Sequence, residues 1–147
     1  MEVSVVIPNF NGIAFLDSVL ASLEGQTLNN FEVIFVDNGS SDGSCSFVAG
    51  NYPWVHLIEL SENFGFCGAV NAGIRAAKAP YVLLLNNDTE VKEDFVEEML
   101  AAIRRHKNAF SCGARMVQYH DRDKLDDVGN YYCALGWSFA RGRGKDI

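Results

Sequence analysis

The chain has 147 residues, 48% of them hydrophobic and 21% charged, which suits one folded domain and excludes wholesale disorder. Lys and Arg number 12 against 19 Asp and Glu, and the net charge of −7 argues against a nucleic-acid binder, whose footprint is a basic face. No apolar run approaches the roughly 18–20 residues of a membrane helix, and Met1–Val5 lacks the basic start of a secretory signal. A cytoplasmic location is therefore expected, with Cys45, Cys67, Cys112 and Cys133 as reduced thiols. These cysteines form no C-x-x-C pair, and His56, His106 and His120 stand at no metal-ligand spacing.

Val3 to Ile7 is a β-branched run closed by Pro8, nearly all apolar, as in a strand covered on both faces. Phe15, Leu16, Val19, Leu20 and Leu23 follow at helical spacing, and Gly25 marks a stop. Phe31 to Val36 is a second buried-strand pattern, ended by the turn-rich stretch 37–43. A short helix is expected from Ser44 to Ala49 and a third strand from Val55 to Leu60. An Ala-rich helix over Cys67 to Lys78 ends before Pro80, because the residue preceding a proline avoids helical geometry. Tyr81 to Leu85 reads as the fourth strand, and Lys92 to His106 as the clearest helix, acidic at its start and basic at its end. Its shared apolar face comprises Phe95, Val96, Met99, Leu100 and Ile103. Beyond Met116 the periodicity weakens, and Tyr131 to Phe139 is expected as a hairpin or a loop. Strands alternating with helices predict an α/β protein, a mainly parallel sheet with helices on both faces.

In such a sheet ligands bind beyond the carboxyl ends of the strands. The four strand ends here carry Pro8-Asn9-Phe10-Asn11-Gly12, Asp37-Asn38-Gly39, Glu62-Asn63-Phe64-Gly65 and Asn86-Asn87-Asp88. Each is also a good turn sequence, and what sets them apart from ordinary turns is that all four are expected on one rim. The turn after the first strand lacks G-x-G-x-x-G, which argues against a dinucleotide site, and no G-x-x-x-x-G-K-[ST] loop occurs. A carboxylate after a buried strand can instead accept the imide N–H of a pyrimidine, with Phe10 packed on the base. Asp88 reads as a ligand for a hard cation, or equally as a helix N-cap together with Thr89. A cation would offset the repulsion between a −7 protein and a diphosphate.

In this order, Val3–Gly12, Phe31–Gly43, Glu62–Phe66 with Asn71-Ala72-Gly73, and Leu83–Val91 resemble four motifs of the family 2 glycosyltransferases with the GT-A fold. The wording is nearest to the rhamnosyltransferase-like branch. The resemblance implies a Rossmann-like α/β/α sandwich, a UDP- or dTDP-sugar donor, Mg²⁺ or Mn²⁺, and a saccharide or lipid-linked acceptor. It implies that Pro8, Asn9 and Phe10 line the base pocket and that Asp37, with Asn38 and Gly39 beside it, binds the base imide. Asn63, Gly65 and Asn71 would border ribose and diphosphate, Asp88 would hold the metal, and Asn86 and Asn87 replace the family's other acidic position.

Residues 1–116 are thus expected to bind the donor, and 117–147 to begin an acceptor-side region that is incomplete. The acid that deprotonates the acceptor in this family lies in that second half, and Asp121, Asp123, Asp126, Asp127 and Asp146 match no motif for it. The chain accordingly reads as the donor half of a longer enzyme of bacterial surface-polysaccharide synthesis, with peripheral membrane association open to the full-length protein. The alternative is a binding module that kept the fold and lost the chemistry. Exposed Leu135, Trp137 and Phe139 are expected to favour self-association into a homo-oligomer.

Overall fold

A computed structural model describes residues 1–147. The chain packs as two compact units, Met1–Leu100 and Ala101–Ile147. The first is built on four parallel strands, β1 (Val3–Asn9), β2 (Phe31–Asp37), β3 (His56–Glu59) and β4 (Tyr81–Leu84), in the spatial order β3-β2-β1-β4. Helices α1 (Ile13–Glu24), α2 (Ser44–Asn51) and α3 (Gly65–Ala76) connect them, and α4 (Phe95–Arg105) follows β4. The chain lays β2 and β3 on one side of β1 and then crosses to place β4 on the other. A switch point therefore opens beside the carboxyl end of β1.

The apolar runs form strands because both sheet faces are covered. Val6, Ile34 and Val36 point to one face and pack against Ala69 of α3, with Ala72 and Ala76 at the edge. Val5, Ile7, Val33 and Phe35 alternate to the other face and are equally buried. α1 contributes the buried stripe Leu16, Val19, Leu20 and Leu23, and α4 contributes Val96 and Leu100. Phe15, expected on that stripe, is exposed.

Pro8 does not end the first strand, as expected from sequence; β1 runs on to Asn9, paired with Asp37. The Leu85 N–H donates to the Val6 carbonyl, so Val6, and by alternation Pro8, turn their backbone groups toward β4. That neighbour has already ended at Leu84, and the missing N–H of Pro8 costs no ladder bond. α3 begins at Gly65 and ends at Ala76, shorter at its C-terminus than expected. α4 begins at Phe95 rather than Lys92. The buried Gln26 side chain explains this: its Nε2 donates to the Lys92 carbonyl and its Oε1 accepts the Val96 N–H, so a residue at the end of α1 caps α4 from outside.

The second unit contains two antiparallel pairs, β5 (Met116–Val117) with β6 (Leu125–Asp127), and β7 (Asn130–Tyr132) with β8 (Ser138–Ala140). Of the two options for Tyr131 to Phe139, the hairpin is the one formed. Its turn closes with the Gly136 N–H on the Cys133 carbonyl, Gly136 taking the left-handed conformation at φ 82°. Lys124 pairs with Asp146, and Arg143 lies 3.7 Å from Asp126. Leu135, Trp137 and Phe139 are exposed on this hairpin. No helix of the chain is long and apolar enough to cross a membrane, and none of the four cysteines is joined in a disulfide.

Candidate functional site at the carboxyl rim of the sheet

One cavity of about 400 Å³ lies at this switch point, within the first unit. It is lined by Pro8 and Asn9 of β1 and Phe10 just after it, Asn38 just after β2, Asn63, Gly65, Phe66 and Ala69 from the β3–α3 connection and α3, and Asn86, Asn87 and Asp88 after β4. Ligand pockets commonly occupy roughly 300–1,000 Å³. Most of the residues expected at the site thus meet there, delivered by four separate strand ends. Asp37, Gly39 and Asn71 do not line it.

Asp37 lies beneath the cavity, 2% exposed. Its Oδ1 accepts from Asn9 Nδ2 at 2.9 Å, and its Oδ2 accepts from the Ser40 N–H at 2.8 Å. Burial opposes its ionisation, but hydrogen bonds from the Ser40 hydroxyl and N–H, Asn9 and Cys45 outweigh that and hold the carboxyl below its ordinary value. Burial together with the neighbouring Asp37 pushes the Cys45 thiol up to about 12, so this cysteine is an unreactive thiol. Asp37 is therefore committed to its protein neighbours. The next residue, Asn38, points the other way, as successive residues along an extended segment do.

The Asn38 side chain staples the β3–α3 connection to the end of β2. Its Nδ2 donates to Asn63 Oδ1 at 2.8 Å and to the Gly65 carbonyl at 3.2 Å, and its Oδ1 accepts the Phe64 N–H at 2.9 Å. Gly39 permits this approach: its φ is +77°, and a Cβ there would lie 2.8 Å from the Glu62 backbone. Its contribution is room rather than contact. Asn71 faces away because two residues along α3 from Ala69 rotate it by about 200° around the axis.

Asn9 is the hub of the rim. It is 2% exposed; its Nδ2 reaches both Asp37 and Ser40, and its Oδ1 accepts from Asn87 Nδ2 at 2.6 Å. Asp88 is exposed in the cavity wall. It does not cap a helix, since α4 starts seven residues later; the turn is instead closed by Thr89 Oγ1 on the Asn86 carbonyl at 2.7 Å. No group of three or more His, Cys, Asp or Glu side chains is placed to hold a metal ion. The donor set at Asp88 is one carboxylate flanked by carboxamides. That does not make an all-protein cage, but it fits a hard cation that takes the rest of its shell from phosphate oxygens and water.

The lining has no Lys, Arg or His. Its polar groups are carboxamides and a single carboxylate, and its aromatic surface comes from Phe10 and Phe66, 48% and 61% exposed. A flat, neutral ring is held by such walls, whereas a diphosphate finds no protein cation in them.

A family description, glycosyl transferase family 2, matches residues 4–145. The chain belongs to that family. It is 29% identical over 133 residues to glycosyltransferase GlyG of Streptococcus pneumoniae, covering 88% of this chain and 42% of the relative. It is also 29% identical over 128 residues to TuaG of Bacillus subtilis, provisionally named a teichuronic acid biosynthesis glycosyltransferase, covering 84% and 50%. The chain thus spans half or less of the length of these relatives. Among solved structures, S. aureus TarS 1–349 in complex with UDP-GlcNAc superposes with a TM-score of 0.66 at 23% identity, covering 80% of this chain and 38% of that one. The mannosyltransferase PcManGT of Pyrobaculum calidifontis, in complex with GDP-Man and Mn²⁺, gives 0.63 at 25%, covering 80% and 35%. The fold of this family 2 chain is accordingly the GT-A type of α/β fold.

Phe66, Gly12 and Ser40 lie within the motifs read from the sequence but were given no role of their own there, and Ala69 was not expected at the site. Phe66 carried a readable signal, a large apolar residue directly after a turn glycine at a strand-end rim. The Ser40 N–H on Asp37 is a local turn contact, three residues apart, but the contact of Ser40 with Asn9 and the closeness of Gly12 to Asn87 carried no signal, because those partners are 31 and 75 residues away.

Proposed function

We propose that this chain carries the donor-binding part of a glycosyltransferase that moves a sugar from a UDP- or dTDP-sugar to an acceptor hydroxyl with inversion. The observation that carries the reading is the convergence of four polar strand ends on one cavity at the switch point of a parallel sheet. Residues 1–116 are assigned to the donor and 117–147 to the start of the acceptor side. The base packs against Phe10 beside Pro8. Asn38 Oδ1, which spends one lone pair on the Phe64 N–H, is the acceptor at the wall for an imide N–H. Asn63 and Gly65 border the ribose. Asp88 holds Mg²⁺ or Mn²⁺, which when bound supplies positive charge to the diphosphate as it leaves.

The reaction is an in-line displacement. The acceptor oxygen attacks the anomeric carbon, the bond to the diphosphate breaks, and a base takes the hydroxyl proton. No acid of residues 117–147 is assigned to that step; Asp126 and Asp146 are engaged with Arg143 and Lys124. The likeness to TuaG supports a place in bacterial cell-surface polysaccharide synthesis, and the family resemblance of the motifs supports saccharide or lipid-linked acceptors. The rhamnosyltransferase-like wording of the four motifs taken together keeps a dTDP-sugar beside a UDP-sugar as the donor.

Calorimetric titration with UDP and with dTDP, each with and without Mn²⁺, tests the donor reading. Binding of at least one nucleotide, stronger with Mn²⁺, is expected. No heat with either at millimolar nucleotide rejects it. Binding with no turnover of any donor sugar would favour the non-catalytic module.

A further inference from the structure

The hydrogen bonds beneath the cavity have a direction. An ionised carboxylate only accepts, whereas a carboxamide has one donating and one accepting end. Asp37 therefore fixes which way Asn9 lies: the Nδ2 must face Asp37 Oδ1, at 2.9 Å. Asn9 then has only its Oδ1 to offer toward β4, and Asn87 must answer with its own Nδ2, at 2.6 Å. Asn87 has spent its donating end beneath the cavity it lines, and its Oδ1 takes no part in that bond. Polarity set by a carboxylate at the end of β2 has passed through β1 to the carboxamide of Asn87, which precedes Asp88 in the chain and lines the same cavity.

A second observation supports the same arrangement. A Cβ on Gly12 would lie 2.2 Å from Asn87 Nδ2 and 2.6 Å from Asn9 Oδ1. Its φ of −111° is open to any residue, so the conformation does not require glycine there; the space for this hydrogen bond does.

We propose that Asp37 is a positioning residue which, through Asn9, turns the Asn87 carboxamide so that its carbonyl oxygen joins the Asp88 carboxylate in holding the divalent cation. This rests on the donor-site reading above. It gives the Asn-Asn-Asp motif a second oxygen ligand without a second charge, a donor type that hard cations accept. It also moves Asp37 from the base to the metal, although no bond joins them directly.

The test separates these roles. Mn²⁺ binding to the UDP-saturated protein is followed by loss of the free-ion electron paramagnetic resonance signal, and uridine binding without metal by calorimetry. Asp37→Asn releases the polarity and is expected to weaken Mn²⁺ at least fivefold while uridine affinity stays within twofold. Gly12→Ala, which leaves Asp37 in place and crowds Asn87, is expected to do the same and serves if Asp37→Asn does not fold. Asn87→Asp sets two acceptors across Asn9 and should lower Tm. Combining it with Asp37→Asn lets Asn9 turn over and donate to the new carboxylate, so the double variant should regain Tm lost by Asn87→Asp.

Unchanged Mn²⁺ affinity in both Asp37→Asn and Gly12→Ala, or Tm losses that simply add in the double variant, would overturn the proposal. So would a parallel loss of uridine binding in Asp37→Asn, which would return Asp37 to the base. Failure of the wild-type protein to bind UDP and Mn²⁺ at all is a different result: it removes the donor-site reading, and this assignment with it.

Discussion

Asp37 and Asn38 differ by one position and have opposite fates. Asp37 turns under the rim and is locked by Asn9 and Ser40, while Asn38 turns toward the cavity and staples Asn63 to Gly65. An acid after a buried strand was plain in the sequence; which of two adjacent polar residues faces the cavity was not, because a one-residue change reverses side-chain direction. The environment of Asp37 also predicts a pH effect. Its carboxyl titrates below the usual 3.8, so the stability it supplies is fully present above that value and is lost as pH falls through the lower folded one. Asp37→Asn should therefore show a shallower fall of Tm below about pH 4 than the wild type. Asp42 and Glu32, also held low, keep part of that fall in both proteins. Identical acid limbs in the two proteins would remove Asp37 from this account.

Among the elements, α3 is placed by what its glycine lacks. A Cβ on Gly73 would lie 2.3 Å from Val6 Cγ1 and 3.1 Å from Val36 Cγ2, on residues whose side chains form the sheet face beneath. Gly73→Ala must lift the helix off β1 and β2 and should cost about 1–3 kcal/mol, read from urea unfolding. Because Gly65 and Phe66 at the other end of the helix line the cavity, nucleotide affinity should fall in the same variant. An unchanged urea midpoint would mean that the helix has room the structure denies it. The strands and the helices α1 and α4 were legible from apolar spacing, since buried strands and one-sided helices write different periods, whereas α2 was expected only from its place between two strands and α3 from its alanines and the proline beyond it. The start of α4 was misread because Lys92 and Glu93 are good helix formers and Asp94 suits a first turn, yet their segment is held in a loop by Gln26 and Thr27. Propensity is local, and the bonds that overrode it come from about 66 residues away.

For the whole molecule the decisive quantity is charge. A protein of net charge −7 has placed at its cavity no cationic side chain and one carboxylate. Nucleoside and diphosphate should then respond differently to metal removal: EDTA should weaken UDP at least tenfold and leave uridine within twofold, as calorimetry would show. Equal loss for both would mean that the cation organises the base pocket as well. The four-strand α/β core, the polar rim and the family resemblance were all determined by the sequence alone, because each depends on residue type and spacing along the chain. The tertiary structure alone decided that β4 lies beside β1, that Asn9 joins Asp37 to Asn87, and that Gly12 leaves the space for it. These are contacts between residues far apart in the chain, made only once the sheet has brought the strand ends together.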